Sequence, residues 1–421
     1  MTARLCLYTQ FDSKGNPLAC GLRTVSGQTY IYKFHAKGGP QRTVHDLLWQ
    51  RHTIKQAIEC AGTQGLPIVT TDFKANLELF DLPAVPAVHY QVYDLCWGGS
   101  TYADADFADI STHIANGLKR MAAATMRDWQ RLVANAAPVY HDLQERGMVI
   151  GGLLEHPRWS QQTFSGRSKA LGVNVQGLDD SLTVGNPHGT DRDLFVHFDW
   201  MAADVNVAAW LSGDSTLQDT FSTSDPYTFL RDKLQLERSQ CKLALLSALN
   251  RLDVTSPLVT AVFPDLGSWL VGAKAALAAG QPLRTVLGRS FSVAHARNEL
   301  AVLNGMLQGS VAHAMQLTVR RVWERFRANL LMDVHDSLIL TCYPTRPLVQ
   351  GLIREVAALV TRPFAGLELV DGAGRSYAGD NFFFPTKVSV GSKYKQWQPL
   401  YTFREGGVHY ERQAAESIEA A

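Results

Sequence analysis

Two short apolar runs, far apart in the chain, each deliver an aspartate, and this restricts the possible folds more than any other feature. The first is LFVHFD, residues 194–199. It reads as a buried strand with Asp199 at its end, and a helix follows within a few residues in WMAADVNVAAWLSGD. The second is LLMDVHDSLIL, residues 330–340, in which two apolar runs flank VHDS. That pattern predicts a hairpin whose tip presents His335 and Asp336. A carboxylate at a strand end is a rigid oxygen donor of the kind that Mg²⁺ takes in small numbers. Each aspartate also has a plainer explanation. Asp is a favoured helix N-cap, which would account for Asp199, and Asp with Ser is ordinary turn chemistry. Turn chemistry explains less well why His and Asp are held between two such apolar strands.

Three further segments carry polar residues in patterns. In QLERSQCKLALLSALN, residues 235–250, Arg238, Lys242, Leu246 and Asn250 recur every fourth position and line one slowly drifting helix face. Leu243, Leu245 and Leu249 supply apolar surface elsewhere. Two cations one turn apart, then an apolar position, suit a triphosphate with a sugar or base beyond it. An ordinary solvated face is the alternative. The stretch TFSGRSKALGVNVQGL, residues 163–178, sits in a region rich in Ser, Gly, Asn and Asp and offers Arg167, Lys169, Asn174 and Gln176. Such side chains contact the phosphates and grooves of a duplex, or simply decorate a surface loop. Over 297–325 a helix is expected with a buried stripe of Leu300, Leu303, Leu307, Val311 and Met315. Asn304 and Gln308 lie one turn apart on another line, where amides can read minor-groove acceptors.

The chain has 421 residues and is 46% hydrophobic, ample for a large core and for two or three domains. Strands are expected at 3–8, 18–24, 28–34 and 67–71, and a helix at 43–62. A helical stretch, 107–147, is broken at Pro138, and mostly helix is expected from 203 to 325. A hairpin at 329–342, a helix at 346–361 and a strand at 387–390 precede a frayed end. With 40 basic and 39 acidic residues, the net charge of +1 argues neither for nor against nucleic acid. The six cysteines (Cys6, Cys20, Cys60, Cys96, Cys241 and Cys342) contain no C-x-x-C pair, which argues against a zinc ribbon or redox motif and fits a reducing cytoplasm. No signal-peptide layout opens the sequence, and no apolar run approaches the ~18 residues of a membrane span, so no membrane partner is expected.

Taken in order, the five segments resemble the polymerase region of family A DNA polymerases, the class of bacterial DNA polymerase I. The likeness covers roughly 160–395. SGR with N-V-Q resembles the family's T-G-R…N-x-Q duplex contact, and 199–214 its D-Y-S-x-I-E…L-S-G-D. Arg238 and Lys242 match R-x₃-K, Asn304 and Gln308-Gly309 match N-x₃-Q-G, and VHDS is similar to V-H-D-E. FPTKVSVGSKYKQW resembles the closing strand and tail. The resemblance implies an α/β (α+β) fold, a right-hand palm and fingers with an RNase H-like, exonuclease-type N-terminal domain. It implies domains at 1–106 (degenerate exonuclease-like), 107–156 (reduced helical thumb), 157–400 (palm and fingers, fingers about 215–295) and 401–421 (C-terminal tail).

The same resemblance implies a template-directed DNA polymerase using two Mg²⁺ ions, with Mn²⁺ as a substitute, and primer–template DNA and dNTPs as partners. Asp199, Asp336 and the Trp200 carbonyl would hold the metals, and Arg238 and Lys242 would join the two aspartates in catalysis. Leu246, Asn250, Asp204 and Tyr227 would complete the nucleotide pocket; Arg167, Asn174, Gln176, Asn304, Gln308 and His335 would contact DNA. Trp200, Asp204, Leu246, Asn250 and Ser337 depart from the family's Tyr, Glu, aromatic, Tyr and Glu, which implies altered sugar discrimination and base stacking. In the N-terminal part the family's acidic motifs align with Tyr8-Thr9-Gln10, with Asp72 to Asn76, and with Tyr102 and Asp106. One retained acid cannot hold two cations, so proofreading is expected to be absent. Few residues remain for a thumb, which implies salt-sensitive, distributive synthesis and room for a processivity or replisome partner. Small size without proofreading points to a viral, mobile-element or repair enzyme. Two alternatives stand beside this: a single-subunit, phage-type RNA polymerase, which Ser337 fits, and a non-catalytic nucleic-acid-binding protein.

Overall fold

The computed structural model describes residues 5–11, 17–23, 29–33, 54–58, 68–70, 92–94, 136–160, 163–179, 181–251, 257–296, 298–405 and 407–410. The chain divides into two compact units, Met1–Glu145 and Arg146–Ala421.

In the first unit, β1 (Leu5–Phe11), β2 (Pro17–Arg23), β3 (Thr29–Lys33), β4 (Ile68–Thr70) and β5 (Val92–Asp94) form one sheet in the order β3-β2-β1-β4-β5. The hairpin-linked strands β1, β2 and β3 run antiparallel, whereas β4 joins β1, and β5 joins β4, in parallel. Cys6, Leu7, Leu22 and Ile68 of the sheet are buried, as are Ile54 and Ile58 of helix α1 (54–58). Helix α2 (Ala137–Arg146) carries Pro138 in its first turn, where the missing N–H has no intrahelical partner to lose. Gly147, at φ 69°, ends it.

The second unit begins with short strands. β6 (Met148–Ile150), β7 (Leu153–Glu155), β8 (Arg158–Ser160), β9 (Lys169–Leu171) and β10 (Val184–Gly185) make a small sheet, β10-β6-β7, and a ribbon, β8-β9. Strand β11 (Leu194–Trp200) follows, then the helices α3 (Ala203–Ser212), α4 (Ser215–Thr223), α5 (Pro226–Leu234), α6 (Arg238–Arg251), α7 (Pro257–Thr260) and α8 (Pro264–Ala278). A ribbon of β12 (Leu283–Arg284) and β13 (Ser290–Phe291), turning at Gly288, interrupts the expected helical run before α9 (Glu299–Phe326). The chain closes with β14 (Leu330–Val334), β15 (Ser337–Cys342), α10 (Arg346–Val360), β16 (Glu368–Val370), β17 (Ser376–Ala378), β18 (Thr386–Lys393), β19 (Gln396–Arg404) and β20 (Gly407–Tyr410).

The main sheet runs β14-β15-β11-β18-β19-β20. Along β11, Val196, Phe198 and Trp200 are buried while His197 and Asp199 are half-buried, so alternation assigns one face to the core and the other to the site. Helix α10 lies against β11, β15 and β18 through Val349, Ile353, Val356 and Val360. Trp200 stacks on Phe384 with ring centres 4.3 Å apart, and its Nε1 donates to the Val360 carbonyl at 3.0 Å. Burying an indole together with a partner for its N–H anchors the strand end that carries Asp199. The expected strand at 387–390 extends to Lys393 and turns back through two more strands. Of the tail expected over 401–421, residues 401–404 and 407–410 instead lie in β19 and β20 of the sheet, and Leu400 and Thr402 place alternate buried side chains along β19.

The turn Ser212-Gly213-Asp214 shows how local chemistry places the helices beside the site. Gly213 ends α3 at φ 71°, and Asp214 caps α4 by accepting from Leu217 N at 2.9 Å. The other carboxylate oxygen of Asp214 accepts from Asp265 N (3.1 Å) and Leu266 N (3.0 Å) at the start of α8. One buried carboxylate thus serves two helix N-termini, where the macrodipoles favour negative charge. Asp214→Ala is expected to cost about 3 kcal/mol by stranding these donors, read as a lower urea midpoint with unchanged slope. A change under about 0.5 kcal/mol would mean that the caps are dispensable.

Candidate active site

Asp199 lies on β11, and Asp336 lies in the turn between β14 and β15, next to the strand that pairs with β11. In the antiparallel β11-β15 pair Asp199 stands opposite Ser337, and Trp200 N donates to the Asp336 carbonyl at 3.1 Å. His335 takes the left-handed conformation (φ 58°) that closes the two-residue turn, and the Ser337 hydroxyl donates to the Val334 carbonyl at 2.9 Å. The cap position of α3 is Ala202, so Asp199 is not the N-cap of that helix and its carboxylate faces the site.

The electrostatics follow from this placement. Burial, and then the Asp336 charge, push the Asp199 carboxyl up to about 7; Lys387, its register neighbour on β18, opposes the shift. Asp204 is likewise raised by burial and by Asp336, against the pull of the Arg167 guanidinium 3.7 Å away. Arg167 Nε and Asp204 Oδ1 are buried and have no hydrogen-bond partner among the described residues. Burial lowers the His197 imidazole to about 4, and the ring stacks on Trp397 at 4.5 Å.

Helix α6 sets its cations over Tyr227. Arg238, Lys242 and Asn250 are exposed and Leu246 is half-buried along the expected line. The Arg238 guanidinium lies 5.3 Å from the Tyr227 ring centre and the Lys242 ammonium 5.9 Å from it. Arg238 also donates to Asp225 at 3.1 Å and to the Thr228 hydroxyl at 3.3 Å. Burial pushes the Asp225 carboxyl up, but hydrogen bonds from Thr228 and the charge of Arg238 outweigh it and hold the group below its ordinary range. Tyr227 is driven up to about 12 by burial, with Asp225, Asp204 and Asp336 adding to the shift and Arg238 opposing it. One tyrosine therefore feels Arg238 of α6 and three acids.

The loop 163–178 packs on α9. Gly305 is required there: a Cβ would stand 2.3 Å from the Phe164 ring, and at Gly309 it would meet Phe291 at 3.1 Å. Asn304 Oδ1 is buried without a hydrogen-bond partner among the described residues, and Gln308 is half-buried one turn on. Asn174 and His335 are exposed. The Gln176 carboxamide bonds within the protein, to Ala170 N, Ser168 O and Asp333 O, each at 3.2 Å. Tyr8 and Gln10 lie on β1, opposite Gly21 and Ala19. Asn76, Tyr102 and Asp106 fall outside the described residues, as does most of the expected thumb.

The M. smegmatis Pol1 POL domain, solved in complex with DNA primer-template and dNTP, has a similar structure. The TM-score is 0.60 over 93% of this chain and 96% of that one, at 12% sequence identity. The chain has a polymerase-domain fold. No protein-family model matches the sequence, and no curated protein matches it. No helix among the described residues is long and apolar enough to cross a membrane.

Sequence patterns did not single out Lys387, Asp225, Arg289, Gln316 or Asp333. Lys387 reaches Asp199 only through the β11-β18 register, which leaves no local signal. Asp225 could have been found, since Asp-Pro before a helical run is an N-cap signature.

Among the described residues no group of three or more His, Cys, Asp or Glu side chains is placed to hold a metal ion. Two carboxylates still fit Mg²⁺, which commonly takes one or two together with water and substrate phosphates. Burial, and then the neighbouring Asp336 charge, raise Asp199, and a bound cation would oppose both. Unfolded, Asp199 ionises near 3.8; folded, it keeps its proton to about 7. The native state binds the extra proton between these values, so this group's contribution to stability falls as pH rises through that window. Without divalent cations, Asp199→Asn is expected to flatten that decline, which is on the order of a few kcal/mol. Denaturant midpoints from pH 4 to 8 check this, and an unchanged slope in the variant would assign the decline to other groups.

Proposed function

We propose that this chain is a template-directed DNA polymerase that extends a primer 3′ end with dNTPs by two-metal nucleotidyl transfer. The observation that carries the proposal is the convergence of Asp199, on β11, with Asp336, in the turn that joins β14 to β15, where burial and then the charge of Asp336 raise Asp199. Asp199, Asp336 and the Trp200 carbonyl would hold the Mg²⁺ ions, with Mn²⁺ as a substitute. When bound, such ions lower the pKa of the primer hydroxyl and neutralise the leaving phosphates.

The other roles belong to the chain's own groups. Arg238 and Lys242 bind the triphosphate, and Arg238 leaves Asp225 to do so. Movement of α6 toward Asp336 excludes water and tests the new base pair. Tyr227 stays a neutral phenol and packs with Leu246 and Asn250 around the sugar and base. Asp204 would screen the sugar 2′ position. Arg167, Asn304, Gln308 and His335 contact the primer–template, with Asn174 and Gln176 shaping the loop. Of the remaining regions, 107–156 serves as a reduced thumb, 215–295 as fingers within the 157–400 polymerase domain, and a replisome partner could supply missing grip.

The first unit is read as an RNase H-like, exonuclease-type domain without proofreading, supported by its β3-β2-β1-β4-β5 sheet. At the positions of the family's first motif, β1 offers Tyr8 and Gln10, neither of them a carboxylate. The RNA-polymerase alternative gains nothing from Ser337, whose hydroxyl is occupied in closing the hairpin turn.

Primer extension with Mg²⁺ tests the proposal. Wild type should extend with dNTPs, and Asp199→Asn and Asp336→Asn should each lose about 10³-fold or more in rate. NTP extension outpacing dNTP extension would favour an RNA polymerase, and no extension with Mg²⁺ or Mn²⁺ would leave a binding protein. Excision of a 3′ mismatch should be undetectable in the same assay. Asp204→Glu should incorporate ribonucleotides less readily than wild type, because its longer carboxylate reaches closer to the 2′ position; equal ratios would contradict that role.

A further inference from the structure

The loop bearing Arg167 is fastened on both sides of that residue. Upstream, Arg289 donates to the carbonyls of Phe164 (2.7 Å) and Ser165 (3.0 Å), and Gln316 donates to that of Gly166 (2.7 Å). Within the arch, the Thr163 hydroxyl donates to the Arg167 carbonyl at 2.9 Å. Downstream, the Ser168 hydroxyl donates to the Asp333 carboxylate, and Gln176 Nε2 joins the carbonyls of Ser168 and Asp333. The Arg167 side chain is left against Asp204, with a buried Nε that has no hydrogen-bond partner among the described residues.

Asp333 is 2% exposed and lies on β14, the strand that leads into Asp336. A buried carboxylate is costly unless hydrogen bonds satisfy it, and this one spends a bond on the residue that follows Arg167. Asp336 and the Arg167 loop are therefore tied to the same strand.

We infer that Asp333 is a positioning residue: by holding Ser168 it fixes the reach of Arg167 into the minor groove at the primer terminus, in register with Asp336. The inference rests on the polymerase proposal. Misplacement of a contact by about 1 Å can cost as much as losing it. Removing the Asp333–Ser168 bond should therefore abolish what Arg167 reads without touching the metal ligands or the triphosphate cations.

The test is single-turnover extension from two matched primers, one ending in deoxyadenosine and one in its 3-deaza analogue, which lacks the minor-groove acceptor. Wild type should extend the analogue about tenfold more slowly, the scale of one good base-edge contact. Arg167→Ala should extend both primers equally. Asp333→Ala and Ser168→Ala should also lose the difference, to within about twofold, whereas Asp333→Asn, which keeps an acceptor for Ser168, should behave as wild type. Folding is followed by circular dichroism and melting, and if Asp333→Ala does not fold, Ser168→Ala tests the same bond from its donor side. Folded Asp333→Ala or Ser168→Ala enzyme that keeps the tenfold difference overturns the inference, as does equal slowing on both primers with the ratio intact. Wild type that extends neither primer overturns the polymerase proposal itself, a result seen before any variant is compared.

Discussion

The repulsion between Asp199 and Asp336 is the constraint on which the rest of the site depends. Two neighbouring carboxylates, one at a strand end and raised by burial to about 7, the other in the adjoining hairpin turn, are an unfavourable arrangement for a stable core. The surroundings enforce it. Trp200, buried, pins the end of β11 by stacking on Phe384 and donating from its indole N–H to the Val360 carbonyl. The hairpin turn at His335 is locked by Ser337 and by the bond from Trp200 N to Asp336 O. Lys387 relieves part of the repulsion from the strand on the other side. Local cost maintained by a rigid frame is the usual sign of a site kept for function.

The remaining groups answer to that negative centre. Asp204 is raised by Asp336 and restrained by Arg167. Tyr227, raised mainly by burial, also feels Asp225, Asp204 and Asp336, with Arg238 opposing them. Both α6 cations lie over the Tyr227 ring, and Arg238 is paired with Asp225. A polyanionic ligand arriving between α6 and the aspartates would satisfy both sides at once.

The sequence exposed the parts of this arrangement that are patterned locally. LFVHFD and LLMDVHDSLIL carry strand composition and a turn, and both appear as strands with Asp199 and Asp336 at the expected places. The every-fourth-residue line from Arg238 to Asn250 does lie on one accessible helix face. What stayed hidden depends on pairing between distant segments. Lys387 acquires its neighbour through strand register, and Asp333 acquires Ser168 through a contact across 165 positions. Residues 401–404 and 407–410 read as a tail because Arg404, Glu405, Gly406 and Gly407 interrupt their alternation, yet β18 offers β19 an edge on which to pair and β19 offers one to β20.

The most direct measurement is Mn²⁺ binding to the free protein by electron paramagnetic resonance at pH 8, where Asp199 is ionised. Wild type should bind Mn²⁺ in competition with Mg²⁺, Asp199→Asn and Asp336→Asn should each bind more weakly, and the double variant should not bind. Equal binding by wild type and the double variant would contradict the assignment of these two aspartates as a metal site.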